Sequence, residues 1–331
     1  MAEDILIIGA GIAGLAAARK LMSAGNSVRV FDKGRRIGGR VATRRADGYI
    51  FDHGAQFLTA HKDSFSSLCH EAASQGALTV WNRPNGKQAF IGGTMMRDFP
   101  SWLATVPDGR EIPIQQAVEI AQITETDGKI HLYDQDNSLI AEGEQLIITA
   151  PAPQTERLLQ DTAPELSQTA ATATYDPCWT VMLGLKDNEA SILPEIESPD
   201  SDLSFVADSR SRRPHSHGAT DKSACLTLQA SAHWSKTHLE AEADDIIKFV
   251  TGLYTAHLQK AGLSMPEISY QSAHRWRYAK LAKAADETYP RSSQSGRVHL
   301  AGDWLIAPRI ESAFISGEAA ADAVLHQQSR T

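Results

Sequence analysis

Asp4-Ile-Leu-Ile-Ile-Gly9-Ala10-Gly11-Ile12-Ala13-Gly14, followed by Ser27-Val-Arg-Val-Phe-Asp32, is the stretch that decides the fold. The apolar run before Gly9 reads as a buried strand, residues 13–24 as an Ala- and Leu-rich helix, and 27–31 as a second strand, which together make a βαβ unit. In such a unit Gly9 makes the tight turn, Gly11 lets the backbone approach a pyrophosphate, and Gly14 lets helix and strand pack closely. The helix amino terminus, entered through Ile12 and Ala13, then offers unpaired N–H groups and its dipole to the phosphates. Glycine clusters are common in loops. Here a strand precedes the motif, a helix follows it, and Asp32 closes the second strand, where a carboxylate accepts hydrogen bonds from an adenosine ribose. The charge of Asp32 repels a ribose 2′-phosphate, so the expected dinucleotide is FAD or NAD rather than NADP.

Working outward, the 331 residues are 42% hydrophobic and 22% charged, enough apolar material for one large core or two medium ones. The net charge of −8 argues against a nucleic-acid partner. Cys69, Cys178 and Cys225 are widely spaced and odd in number, which fits a reducing cytoplasm rather than a disulfide framework. The apolar run from Ile5 to Ala18 follows Glu3 and Asp4 and is interrupted by three glycines, unlike a signal peptide, and it is too short to span a bilayer. No membrane partner is expected.

Gln145–Thr149, closed by Ala150-Pro151, and Arg297–Ala301, followed by Gly302-Asp303, read as further strands of a mostly parallel sheet. Residues 178–185 and 224–230 read as strands of another unit. Ile246, Ile247, Val250, Leu253, Tyr254 and Leu258 recur at the spacing of a core helix. The stretch 187–222, rich in Pro, Ser, Asp and Arg, reads as a long surface connection. His215 and His217 lack further ligands at metal spacing, and no metal site is expected.

The continuation Asp32-Lys33-Gly-Arg-Arg-Ile-Gly38-Gly39-Arg40 resembles the large flavoprotein class that contains the amine oxidases, in which an acid is followed by Gly-Gly-Arg. The resemblance implies that Arg40 contacts FAD phosphate or ribose, and that Asp303 in Leu300-Ala-Gly302-Asp303-Trp304 binds the ribityl or phosphate portion. It further implies that the helix opened by Glu311-Ser312-Ala313 faces the reduced flavin. The segments Asp52-His53-Gly54-Ala55-Gln56-Phe57 and His274-Arg275-Trp276-Arg-Tyr278 narrow the resemblance to the renalase family, its bacterial members in particular. Asp32 stands where that family often has Glu.

The architecture that follows is α/β: a discontinuous, doubly wound Rossmann-type FAD-binding domain from 1–60, 108–155 and 293–331, with a mixed α+β substrate domain from 61–107 and 156–292. As the resemblance implies, cofactor contacts also come from Lys33, Gly39, His53, Gly54, Ala55, Gln56, Val118 near the adenine, Ala150 and Trp276. The nicotinamide pocket is expected from Gln56, Phe57, Thr59, His61, Met95, Met96, Thr180, Trp276 and Arg309. The implied activity is oxidation of misreduced dihydronicotinamide dinucleotides by noncovalent FAD, with O2 as acceptor. A noncovalent flavin amine oxidase and a FAD-bound sensor without turnover remain alternatives; no cysteine follows Cys225 to link a flavin near the terminal motif.

Overall fold

The computed structural model describes residues 4–83, 86–186, 190–193, 195–198, 201–212 and 224–329. The chain runs β1 (Asp4–Ile8), α1 (Ile12–Ser23), β2 (Ser27–Asp32), β3 (Thr43–Ala46), β4 (Tyr49–Asp52), α2 (Asp63–Ser74), β5 (Leu78–Asn82), β6 (Gln88–Gly92) and α3 (Asp98–Leu103). There follow β7 (Ile114–Gln116), β8 (Gln122–Thr126), β9 (Lys129–Tyr133), β10 (Leu139–Gly143), β11 (Gln145–Ile148), α4 (Ala152–Leu159) and α5 (Pro164–Ala171). The rest is β12 (Thr174–Leu185), β13 (Glu195–Glu197), β14 (Leu203–Asp208), α6 (Ser209–Arg212), β15 (Cys225–Ala230), α7 (Ala232–Thr237), α8 (Ala243–Lys260), β16 (Ile268–Lys283), β17 (Val298–Leu300) and α9 (Ile310–Gln328).

Strands β17, β11, β1, β2 and β7 lie side by side, all parallel, as the sequence predicts for a Rossmann-type sheet. The alternation of side chains along a strand explains why β1 is apolar throughout. Ile5 and Ile7 enter one core with α1, Phe65 of α2, Phe99 of α3 and Val324 of α9. Leu6 and Ile8 enter a second core on the opposite face, with β8, β9, α4 and α5. That second face is therefore covered by a three-stranded antiparallel sheet, ordered β10-β9-β8, together with two short helices.

The other large sheet, ordered β13-β14-β15-β12-β16, is antiparallel. On one face Val181, Leu183, Leu226, Leu228 and Val206 pack on Ile246, Val250, Tyr254 and Leu258 of α8. On the other, Met182, Cys225 and Tyr270 pack on Tyr49 and Phe51 of β4. Pro177 falls where the β12–β16 register shifts between Asp176 and Cys178, a position where a missing N–H costs no ladder bond.

Two expectations are corrected by this packing. The stretch 187–222 is not wholly a connection: β13, β14 and α6 lie within it, and β14 pairs with both β13 and β15. Residues 61–107 place Phe65, Cys69, Leu78, Phe90 and Phe99 in the core of α1, and Leu159, Leu166 and Ala170 of 156–171 join the core under β11. No described helix is long and apolar enough to cross a membrane.

Helices α1 and α9 touch closely because Gly317 carries no side chain; a Cβ there would overlap the carbonyl oxygen of Ala13. Backbone cannot retreat as a flexible side chain can. Gly317→Ala is therefore expected to lower stability by about 1–3 kcal/mol, read as a lowered urea midpoint at unchanged slope. An unchanged midpoint would refute the close contact.

Candidate functional site

The glycine turn has the geometry that the sequence assigns to it. Gly9 has φ +106°, its N–H donates to Phe31 O at 2.8 Å, and a Cβ on Gly14 would overlap Gly9 O. By contrast, a Cβ on Gly11 would meet nothing within 4 Å, so the backbone there is open to a ligand. Helix α1 has no side-chain cap and its first intrahelical bond is Leu15 N to Gly11 O. The N–H groups of Ile12, Ala13 and Gly14 therefore lack intrahelical partners, as an anion site requires. Asp32 holds this turn in place: one carboxylate oxygen accepts from Ala10 N and the other from Gly34 N, each at 2.6 Å. A carboxylate offers about four lone-pair sites, so both oxygens keep capacity for a ribose hydroxyl.

Lys33 sends its side chain to solvent, 3.8 Å from Glu119, which leaves only its backbone to serve a cofactor. Val118 donates its N–H to Asp32 O at 3.0 Å and so lies beside the end of β2.

Arg40 and Asp303, separated by 263 residues, form a forked ion pair with N–O distances of 2.9 and 2.5 Å. Burial alone would lower the Arg40 pKa; the Asp303 carboxylate and its hydrogen bonds more than offset this, and the net shift is upward. The Tyr175 ring lies 5.6 Å from the guanidinium and its hydroxyl is buried without a hydrogen-bond partner. Sequence reading did not single out Tyr175, because nothing local marks it. Gly302, at φ +149°, donates its N–H to Ser316 Oγ at 3.0 Å and aligns this segment with α9.

The start of α9 divides the expected contacts. Glu311 is buried and accepts from His61 N at 2.8 Å and Lys62 N at 2.6 Å, so its carboxylate ties down the segment that enters α2. The N–H groups of Ile310, Glu311 and Ser312 remain without intrahelical partners, whereas Ala313 N reaches Arg309 O at 3.2 Å. Arg309 is exposed. The Ala150 carbonyl accepts from Trp304 Nε1 at 3.1 Å and Thr155 Oγ1 at 3.0 Å.

Segment 53–57 lies against the antiparallel sheet. Phe205, Gln229, Thr180 and His274 are register partners across β14, β15, β12 and β16, so their side chains share a face. That row meets the segment: Gln229 Nε2 donates to Gly54 O at 2.9 Å, Phe57 lies 6.3 Å from Phe205, and His53 meets His274 edge-on at 5.0 Å. Trp276 stacks on His53 at 5.3 Å and donates Nε1 to His53 O at 2.9 Å, while Gln56 Nε2 donates to Asp52 O. Gln56, Phe57, Thr180 and Trp276 are thus brought together. Thr59 and His61, 3.2 Å apart through Oγ1 and Nε2, stand at the exposed end of this segment.

Met95 accepts from Arg45 through its sulfur, and Met96 is fully buried in the core with Phe90 and Phe99. Met96 is therefore a packing residue and not a pocket wall, a correction that reflects how readily an unbranched thioether fills a core. Sequence reading passed over Gln229 and Phe205, and quoted His274 in a motif without giving it a cofactor or substrate contact. His274 alternates with Trp276 on β16, the one signal that pointed to it. Arg210 pairs with Asp208 at 3.1 Å. Arg213, His215 and His217, and the side chain of Arg212, lie outside the described residues.

The electrostatics of this row are distinctive. Arg44 donates to Ser272 Oγ at 2.6 Å, on the sheet side of β3. Burial first, then the charges of His274 and Arg44, push the His53 pKa down to about 3; burial and Arg44 also lower that of His274. His53 Nδ1 is buried with no hydrogen-bond partner. Asp52, at the root of the segment, spends one oxygen on Thr43 Oγ1 at 2.6 Å and Met96 N at 2.9 Å.

The family described as NAD(P)-binding Rossmann-like domain matches residues 7–72, which run from β1 through the glycine turn, Asp32, Arg40 and the 53–57 segment. Putrescine oxidase of Kocuria rosea is 28% identical over 135 residues, 39% of this chain and 28% of its own length. A proposed flavin-containing monoamine oxidase of Mycobacterium tuberculosis is 43% identical over 68 residues, 20% of this chain and 15% of its own length. Each match therefore spans less than a third of the relative. In structure the chain superposes on a proposed protoporphyrinogen oxidase from Exiguobacterium sp. 255-15 with a TM-score of 0.73, over 99% of both chains at 14% identity, a likeness of fold. The chain is thus a mixed α/β protein with a parallel Rossmann-like sheet, similar over part of its length to amine oxidases.

Because the folded protein holds His53 neutral, protonation favours the unfolded chain. The stabilisation is complete above the ordinary histidine pKa of 6.5 and is lost as pH falls toward about 3 for His53, and toward about 4 for the equally buried His299. Each contributes about 1.4 kcal/mol per pH unit across that window. Urea midpoints measured from pH 7 to 4.5 should fall less steeply in His53→Gln and His299→Gln than in the wild type; parallel slopes would contradict the assignment.

Proposed function

We propose that this chain holds FAD noncovalently and oxidises misreduced 2- or 6-dihydronicotinamide dinucleotides to β-NAD(P)+, reducing O2 to H2O2, as a renalase-like enzyme of the cytoplasm. The residues present fit the cofactor: the open backbone at Gly11, the unpaired N–H groups of α1, Asp32 beside Val118, and Arg40 with Asp303. Bound FAD would supply the two-electron acceptor; the substrate gives up a hydride, and that hydride's two electrons and proton, with one further proton from solvent, would reduce O2 to H2O2. Aromatisation of the nicotinamide drives this step, so the protein's task is placement rather than acid–base work.

The observation that carries the substrate assignment is the row facing 53–57. It combines the Arg44 guanidinium with two imidazoles kept neutral by burial and by that charge. Such surroundings favour an uncharged ring with an anionic tail over an ammonium ion. Trp276 and Phe57, both part-buried, would hold the ring and Gln56 its polar edge, whereas Thr180, as fully buried as Met96, packs within the sheet and does not line the pocket. The amine oxidase reading has the similarity to putrescine oxidase in its favour.

Stopped-flow bleaching of the flavin under anaerobic conditions separates the readings. The 2- or 6-dihydro isomers should reduce it far faster than β-NADH or putrescine, because a shifted ring position loses the near-attack geometry. Fastest reduction by putrescine or β-NADH would overturn the renalase-like reading, and reduction by none would favour a sensor.

Two simpler measurements address the cofactor. Acid precipitation should leave all yellow colour in the supernatant. Asp32→Ala and Arg40→Ala should each weaken FAD retention by about 1.5–3 kcal/mol, the worth of a hydrogen bond to a charged group, read as occupancy after gel filtration. Full occupancy in both variants would sink those roles.

A further inference from the structure

Strand β3 presents its residues alternately, with Arg44 toward the antiparallel sheet and Thr43 and Arg45 toward α3. On the α3 side Arg97, at the start of that helix, donates Nη2 to Thr43 O and its N–H to Thr43 Oγ1 at 3.3 Å, while its Nε is buried with no partner. Arg45 reaches only the sulfur of Met95 at 3.6 Å, a weak acceptor. The loop carrying exposed Arg36 packs on the same helix, where a Cβ on Gly38 would lie 3.0 Å from Pro100 Cγ.

Two carboxylates are near, within electrostatic reach of Arg97, and accept hydrogen bonds from neutral donors. Asp98 accepts from Thr94 N at 2.6 Å and Met95 N at 2.9 Å, and Asp52 from Thr43 and Met96. Several arginines elsewhere take acids as partners, Arg19 with Glu71, Arg29 with Asp4, Arg83 with Glu197 and Arg297 with Glu125, while others such as Arg44, Arg157 and Arg291 do not within the described residues. Among the described residues Arg36, Arg45 and Arg97 form no such pair, in a chain with 40 acidic and 32 basic residues. Burial first, then the charges of Arg36 and Arg45, lower the Arg97 pKa, with Asp52 and Asp98 opposing them in part, so all three guanidinium groups lie within electrostatic reach and the net effect on Arg97 is downward.

We propose that Arg36, Arg45 and Arg97 form an anion site for a phosphate monoester or orthophosphate, separate from the Arg40–Asp303 pair. A dianionic phosphate has enough acceptor oxygens for three planar donors, and its charge replaces the repulsion that the cluster otherwise stores.

Thermal unfolding of the protein as isolated, with its cofactor in place, tests this. Orthophosphate should raise the wild-type midpoint saturably, beyond sodium chloride at equal ionic strength. In Arg36→Gln/Arg45→Gln the half-saturating concentration should rise at least about tenfold, the loss expected of charge-assisted hydrogen bonds, with the phosphate-free midpoint no lower than wild type. Arg36→Lys/Arg45→Lys keeps the charge and should bind with intermediate strength. Equal phosphate response in wild type and the Gln variant, or none beyond chloride, overturns the site. The source is read from 2′-AMP and adenosine: saturation by 2′-AMP well below orthophosphate, with no response to adenosine, marks a nucleotide phosphate, and equal saturation marks free phosphate.

Discussion

The forked contact between Arg40 and Asp303 joins the two ends of the chain at one point. Asp303 is buried, and a buried carboxylate without a partner costs several kcal/mol. Its partner comes from the loop after β2, so the β17–α9 segment has to dock beside the βαβ unit for either charge to be satisfied. Gly302 bonding to Ser316, Gly317 closing on Ala13 and Trp304 bonding to Ala150 all serve that same docking.

The second constraint is that the 53–57 segment belongs to both halves of the molecule. Its backbone is anchored to the loop after β2, with Ala55 N donating to Arg40 O at 2.9 Å, and to the antiparallel sheet through Gln229 and Trp276. The face that this segment meets is built from side chains of β12, β14, β15 and β16. The neutrality of His53 and His274 follows from the same arrangement, since burial and Arg44 act together on both.

Much of the site was legible because its signals are local. Gly9, Gly11, Gly14 and Asp32 lie within one βαβ unit, where spacing alone sets geometry. Arg40 and Asp303 were legible as motif residues, but not that they would meet. Lys33 and Glu311 show the limit: both sit in the expected segments, yet one side chain turns to solvent and the other holds the backbone that leads into α2. Motif position specifies where a backbone passes, whereas the direction of a side chain depends on what packs beside it.

By itself, then, the sequence determined the parallel βαβ core, the dinucleotide turn and the apolar face of α8, because each rests on short-range periodicity and on residues with restricted or permissive backbones. Only the tertiary structure decided that β14 lies inside the antiparallel sheet between β13 and β15, and that Phe205, Gln229, Thr180 and His274 form one row. These depend on strand register and on contacts between residues distant in the chain, and a one-residue change in register would have turned the whole row to the other face.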